Sequence, residues 1–393
     1  MLNNLYCEKL NLMNKIYKII IIYSIIMDPK LSNISEEGDV YKFTLSGINV
    51  SLANSIRRII LSEIPINVIL TETYAENKCN ILVNTTRLHN EILKHRLSCI
   101  PIHITDLELL PDKYVLELDM KNDTDHMIYV TTEHFKIRNK TNDNYLTENE
   151  MRKIFPPNAK TNSFIEFARL RPRIGDSIPS EQLKLVAEFS IGNAKNNSMF
   201  NVVSKCSYGN TIDPEKINAM WEQYQDKMLS ENNTKDEIEF QKKNFYLLDA
   251  QRYFIADSFD FILQTLGIYN NKELVQKACI ILQNKFVELV SAIDNDILPI
   301  NISETTMEYS YDIVLENEDY TVGKVLEYLL YEQFYVKEKI FTFCGFKKLH
   351  PHNSDSVIRV AYIKNADKNT VRNNLRGSCI DAIEIYKKIH KMF

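Results

Sequence analysis

The chain has 393 residues, 45% of them hydrophobic and 25% charged. It is too long for one compact domain and too apolar to be disordered throughout. Only 9 Gly and 7 Cys exclude collagen-like and disulfide-scaffold classes, and the net charge of −5 argues against holding nucleic acid mainly through its phosphates; it favours protein partners and leaves open a local basic patch.

Residues 16–27 read IYKIIIIYSIIM. The apolar run, about nine residues, is too short for a spanning helix of about 20, and no small-x-small cleavage pattern follows it. Residues 1–29 are expected to be an extension, disordered or upstream of a start at Met27. A packed accessory segment and a targeting or membrane role are the other readings.

Asp39–Leu45 alternates apolar and polar residues and predicts a strand with one buried face. Asn49–Ile64 follows helical spacing through Leu52, Ile56, Ile59 and Ile60, and Pro65 stops it. Arg57 and Arg58 sit side by side in that helix. On residue type alone they suit a solvated face, a partner-docking surface or a phosphate site. Residues 67–180 contain short strands at Asn80–Val83 and Tyr114–Leu118 and polar loops such as Asn139–Asn149. Strands are expected at Leu183–Ile191, Phe200–Tyr208 and Phe259–Thr265, then a helix over Asn271–Val290. A helical insertion over 210–252 starts with Asp213 as cap and Pro214 in the first turn. Its stripe is Ile217, Met220, Trp221, Tyr224 and Met228, and Ser230–Asp236 reads as a loop.

The first pattern returns at Tyr311–Leu330. Tyr41 aligns with Tyr311, Leu45 with Leu315, Leu52 with Val322, Ala53 with Gly323, Ile56 with Leu326 and Ile60 with Leu330. Strands at Ile340–Phe346 and Val357–Ile363 follow, then a helix over Asn365–Met392 with Val371, Leu375, Cys379, Ala382, Ile383 and Tyr386 on one stripe. Both halves run strand, helix, strands, helix, which predicts an α+β architecture with two related sheets covered by helices.

Nucleotide-binding glycine loops, a GxSxG elbow and an HExxH zinc motif are all absent from the sequence. The cysteines are odd in number and lack CxxC spacing, so they read as reduced thiols. His89, His95 and His103 have no cysteine pair beside them and suit surface or interface roles. His350 and His352 flank Pro351 in a turn. Glu316, Glu318 and Asp319 suit helix N-terminal charge better than acid–base chemistry. Cys99 reads as a small core residue. No catalytic, cofactor or metal residue is assigned.

Three segments together resemble a known family. SLANSIRRIILSEIP (Ser51–Pro65) resembles the first helix of α-like RNA polymerase subunits. NTTRLHNEILKHRLSCIPI (Asn84–Ile102) resembles that family's next signature, with Ser98–Cys99 where a Gly-containing pair is usual. LENEDYTVGKVLEYLL (Leu315–Leu330) with HPH (His350–His352) is similar to the small partner subunit. From about residue 30 onward the chain resembles the third and eleventh subunits of eukaryotic RNA polymerase II joined end to end, as in large nucleocytoplasmic DNA viruses. The archaeal pair and the bacterial α homodimer share this arrangement.

The resemblance implies two α-like dimerisation units in a pseudo-twofold within one chain, the first interrupted by a strand-rich insert. The expected divisions are 30–66 plus 181–292 for the first unit, 67–180 for the insert, 293–304 for a linker and 305–393 for the second, small-partner-like unit. It implies a non-catalytic assembly platform that docks two large catalytic subunits, with small polymerase subunits as further partners. No sequence-specific nucleic-acid contact and no membrane contact are implied. Leu52, Ile56, Ile60, Val322, Leu326, Leu330, Val371 and Leu375 would form the pairing interface. By carry-over, Arg57 and Arg58 would contact the second-largest subunit, and Glu91 and Arg96 a large subunit. The zinc-loop and iron–sulfur cysteine sets of some relatives are missing, so no metal is expected. The expected location is the cytoplasm or nucleus of a host cell, or a virion, without secretion.

Overall fold

The computed structural model describes residues 27–175 and 177–393. The expectation for residues 1–26 lies outside the described residues. Of the 1–29 extension, the last three residues are described. Met27 is 9% exposed and its carbonyl accepts from Lys388 Nζ at 3.0 Å, so the packed chain already includes it.

In chain order, β1 (Lys30–Glu37) and β2 (Val40–Ser46) form an antiparallel hairpin leading into α1 (Val50–Ser62). Then come β3 (Ile66–Val68), β4 (Cys79–Asn84), α2 (Asn90–Ser98), β5 (Tyr114–Lys121), β6 (Ile128–Thr131) and β7 (Lys136–Asn139). A short α3 (Glu148–Ile154) precedes β8 (Glu166–Leu170), β9 (Gln182–Glu188) and β10 (Ser190–Gly192). β11 (Val203–Ile212) and β12 (Phe254–Thr265) bracket α4 (Pro214–Ser230) and α5 (Lys235–Leu247). After α6 (Asn271–Asp294) and β13 (Ile300–Ile302) come β14 (Ser310–Leu315), α7 (Tyr320–Leu330), β15 (Phe341–Lys347), β16 (Ser356–Tyr362) and α8 (Lys368–His390).

The described chain forms two compact units. One takes residues up to Ile59, 206–263 and 275–393; the other takes 60–205 and 264–274. The first holds two four-stranded sheets, ordered β1-β2-β12-β11 and β13-β14-β16-β15. The order is the same in both. In each, the strand entering the first helix (β2, β14) lies beside the strand entering the last helix (β12, β16).

Local chemistry explains these elements. In β14, Tyr311, Ile313 and Leu315 are buried on one face. Asp312 on the other face meets Arg359, its cross-strand neighbour on β16, through bonds of 2.6 and 2.7 Å. Asp319 caps α7 by accepting from the Thr321 N–H at 2.8 Å, and Asp367 caps α8 by accepting from Thr370 at 2.9 Å. Asp213 caps α4 as expected, accepting from Lys216, with Pro214 next. A Thr234–Glu237 capping box starts α5, so the loop after α4 is shorter than Ser230–Asp236.

The 293–304 linker is corrected. α6 runs on to Asp294, and Ile300–Ile302 pairs with Tyr311–Ile313 as an edge strand. Asp296, at φ 60°, ends the helix in the left-handed region, and the Ile297 and Leu298 N–H groups both donate to Ala292 O. The connection between α6 and β13 is thus only 295–299.

The second unit contains the sheet β4-β9-β5-β7 and the pairs β6-β8 and β10-β3. Its core includes Leu93, Leu97, Leu116, Phe135, Phe167 and Leu185. Leu183–Ile191 was expected in the first dimerisation domain, but β9 is the central strand here. It pairs with β4 on one side and β5 on the other, burying Leu183, Leu185 and Ala187 on alternate positions. The strand Gln182–Glu188 therefore belongs with the second unit, which extends to residue 205.

Candidate functional site

The thirteen residues of α1 bury Leu52, Ala53, Ile56 and Ile59 at 1% exposure or less. Ser55 interrupts that apolar face. Its hydroxyl donates to Leu52 O at 2.7 Å and lies 2.6 Å from Tyr386 OH of α8. A serine hydroxyl has one proton, so the Tyr386 hydroxyl donates to Ser55 Oγ. Tyr386 is fully buried and its ring stacks on Phe286 of α6, centroids 6.0 Å apart. Burial pushes its phenol far above the usual range, with the Ser55 hydrogen bond opposing.

One turn on, Arg58 Nε donates to Thr321 Oγ1 at 2.8 Å and Nη2 pairs with the Asp319 carboxylate. Asp319 thus both caps α7 and holds Arg58. Lys285 of α6 donates to Glu318 at 2.8 Å. The Phe393 ring lies edge-on to Tyr41 and Phe43 of β2. Arg376 donates to Asp294 at 2.9 Å, and Arg372 pairs with Asp296. Inside the first unit, residues 27–59 and 275–294 therefore meet residues 318–393 through an apolar centre with ion pairs around it.

All eight expected pairing residues are buried at 1% exposure or less. Ile60 falls in the second unit, and the other seven fall in the first. The arginine pair divides. Arg58 faces the start of α7, whereas Arg57 makes a local contact, Nε and Nη2 reaching Asn54 Oδ1 at 3.0 and 2.8 Å. In the second unit, Glu91 is exposed in the first turn of α2. Arg96 staples α2 to β8 through Phe167 O and Glu166 O, each at 2.8 Å. The sequence reading missed the Ser55–Tyr386, Arg58–Asp319 and Lys285–Glu318 contacts. Ser55 between Leu52 and Ile56 was the available signal: a polar residue on a buried face needs a partner.

Among the described residues, no group of three His, Cys, Asp or Glu converges as a metal site. Nor is any described helix long and apolar enough to cross a membrane. His103 Nδ1 lies 3.2 Å from Gly267 O, and burial lowers its pKa. His350 and His352 stack in an exposed turn.

Cys99 is exposed at the end of α2, which corrects its assignment to the core. The adjoining Ser98 takes the buried position, donating to Ile69 O at 2.7 Å. Burial pushes the Cys206, Cys279 and Cys344 thiols up to about 12. In a Cys7→Ser background, an aromatic disulfide reagent should label the native chain fast at one thiol. Cys99→Ser should remove that phase, as followed by absorbance and peptide mapping.

A model of the RNA polymerase Rpb3/Rpb11 dimerisation domain matches residues 42–286, more than half of the chain. The DNA-directed RNA polymerase subunit Rpo3 of Thermococcus kodakarensis is 36% identical over 98 residues, 23% of this chain and 34% of that protein. Rpo3 of Methanosphaera stadtmanae is 28% identical over 186 residues, 46% of this chain and 62% of its own length. Subunit RPAC1 of human DNA-directed RNA polymerases I and III is 42% identical over 62 residues, 16% of each chain. The matches thus span from about a sixth to under two thirds of these relatives.

Proposed function

The chain belongs to the RNA polymerase Rpb3/Rpb11 dimerisation-domain family, and from that premise we propose that it is the α-like assembly subunit of a multisubunit DNA-directed RNA polymerase, with both α-like units in one polypeptide. The observation that carries this reading is the repeated strand order of the two sheets, each sending two helices into one buried contact. The names of these three relatives, each a DNA-directed RNA polymerase subunit, support the same process.

In this reading residues 305–393 take the place of a separate small partner subunit, and the two units are related by a pseudo-twofold. The chain catalyses nothing by itself. It presents surfaces to two large catalytic subunits and to small polymerase subunits, wherever that polymerase acts in the cytoplasm, the nucleus or a virion. A fused gene of the kind found in large DNA viruses fits this layout. Covalent connection raises the effective concentration of one unit for the other to the millimolar range or above for a short link, so pairing does not depend on subunit supply.

The docking assignments follow from which charges the chain leaves unspent. Arg57 and Glu91 have no ion-pair partner among the described residues and are the proposed contacts to large subunits. Arg58 acts inside the pairing surface, and Arg96 mainly holds β8.

The full tagged chain, recovered from its native source at low salt, should bring down two very large polymerase subunits. Arg57→Glu should cut recovery of at least one of them about tenfold while the thermal melt of the free chain stays in place. Recovery of neither large subunit by the parent chain would contradict the reading. Equal recovery by both proteins would remove Arg57 from the interface and leave the family reading intact.

A further inference from the structure

The segment joining α6 to β14 builds one wall of a cavity. Ile297 and Leu298 fold back onto Ala292 of α6, and Pro299 O accepts from the Val314 N–H at 3.0 Å. The space between this wall, the last turns of α6 and the β14–α7 turn is about 240 Å³. That is below the range of about 300–1,000 Å³ typical of cofactor and small-molecule sites. It is large enough for an anchoring side chain of a partner segment.

The lining is apolar at its base, with Leu289, Ala292, Leu298 and Val322, and acidic at its edge. Glu288 and Glu316 line it, both exposed and without an ion-pair partner among the described residues. The single lining cation, Lys285, is already neutralised by Glu318 at 2.8 Å. Ile297, which also lines the cavity, is 68% exposed. An acidic partner would leave Glu288 and Glu316 facing like charge, whereas a basic one meets them with opposite charge.

We propose that this cavity is a docking site for a basic peptide segment of a partner protein, with one large apolar or aromatic side chain inserted at the base and flanking Lys or Arg against Glu288 and Glu316. The site exists because the two halves are joined, since residues 295–299 form its wall. The inference concerns the isolated chain and does not depend on the polymerase reading.

The test uses the full chain and fluorescein-labelled peptides read by anisotropy at about 50 mM and 300 mM salt. The probes are Lys-Arg-Lys-Trp-Lys-Arg-Lys, the same peptide with Ala for Trp, and Glu-Asp-Glu-Trp-Glu-Asp-Glu. Saturable binding of the first is expected, at least tenfold tighter than of either other peptide and weaker at the higher salt. Glu288→Lys with Glu316→Lys should weaken it at least tenfold. Ala292→Trp, which fills the base, should do the same without changing charge. Ile297→Ser trims a lining side chain that is 68% exposed and adds no charge, so it keeps the test valid if Ala292→Trp fails to fold; it should weaken binding several-fold. Reversal of the remote pair Glu215→Lys with Glu222→Lys should have little effect. Equal binding of the Trp and Ala peptides, equal binding of the acidic peptide, or indifference to the cavity variants would overturn the proposal.

Discussion

Tyr386→Ala is expected to destabilise the first unit by about 3–5 kcal/mol, the range for removing a large buried aromatic side chain. The ring is fully buried, stacks on Phe286 and carries the hydroxyl that reaches Ser55. Two smaller substitutions separate ring from hydroxyl. Tyr386→Phe removes the donor but leaves Ser55 bonded to Leu52 O, and should cost about 1 kcal/mol. Ser55→Ala instead leaves the Tyr386 hydroxyl buried without an acceptor, and should cost about 1–3 kcal/mol. The expected order is therefore Tyr386→Ala, then Ser55→Ala, then Tyr386→Phe. Trp221 is the chain's one tryptophan and lies in the first unit, so its fluorescence through a urea titration reports that unit. An inverted order for the last two would show that the hydroxyl pair does not bond as described.

Gly323→Ala should also destabilise, although alanine is the better helix former by about 1 kcal/mol. A Cβ built at Gly323 would lie 2.0 Å from Cε2 and 2.4 Å from Cδ2 of the Phe346 ring. That ring is itself held, edge-on to Tyr320 and under the Lys324 ammonium, while the Phe346 N–H donates to Glu327 at 3.0 Å. Overpacking of this kind costs about 1–3 kcal/mol, and a valine should cost more. Phe346→Ala removes the obstructing ring. In that background Gly323→Ala should become neutral or stabilising, giving a coupling of at least about 1 kcal/mol in a double-mutant cycle. Additive costs would show that α7 and β15 do not approach as closely as described.

The pairing of Ala53 with Gly323 shows what a sequence can and cannot disclose. Alternation and 3.6-residue spacing placed β2, α1, β14 and α7 within a few residues, because burial of one face determines both patterns. The repeat was visible for the same reason. Why the second copy needs glycine was not, since Phe346 lies far along the chain and its approach is a tertiary fact. Arg58 is similar. Its neighbour Arg57 looks equivalent in the sequence, yet a single helical step of about 100° turns one toward Asp319 and the other toward Asn54. β13 escaped notice because three residues carry little periodic signal. Leu183–Ile191 was expected in the first dimerisation domain, whereas β9 lies in the second unit, because alternation reveals a strand but not its partners. Cys99 was placed inside on residue type, when Ser98 with two hydrogen-bonding neighbours holds the buried site.

In the proposed reading, one polypeptide supplies both α-like units to the polymerase. Native mass spectrometry of the intact enzyme, purified through a tag on this chain, tests it most directly. One copy of this chain per pair of large subunits is expected, with no second α-like subunit. Two copies of the chain in one enzyme, or one copy beside a separate small α-like partner, would contradict it.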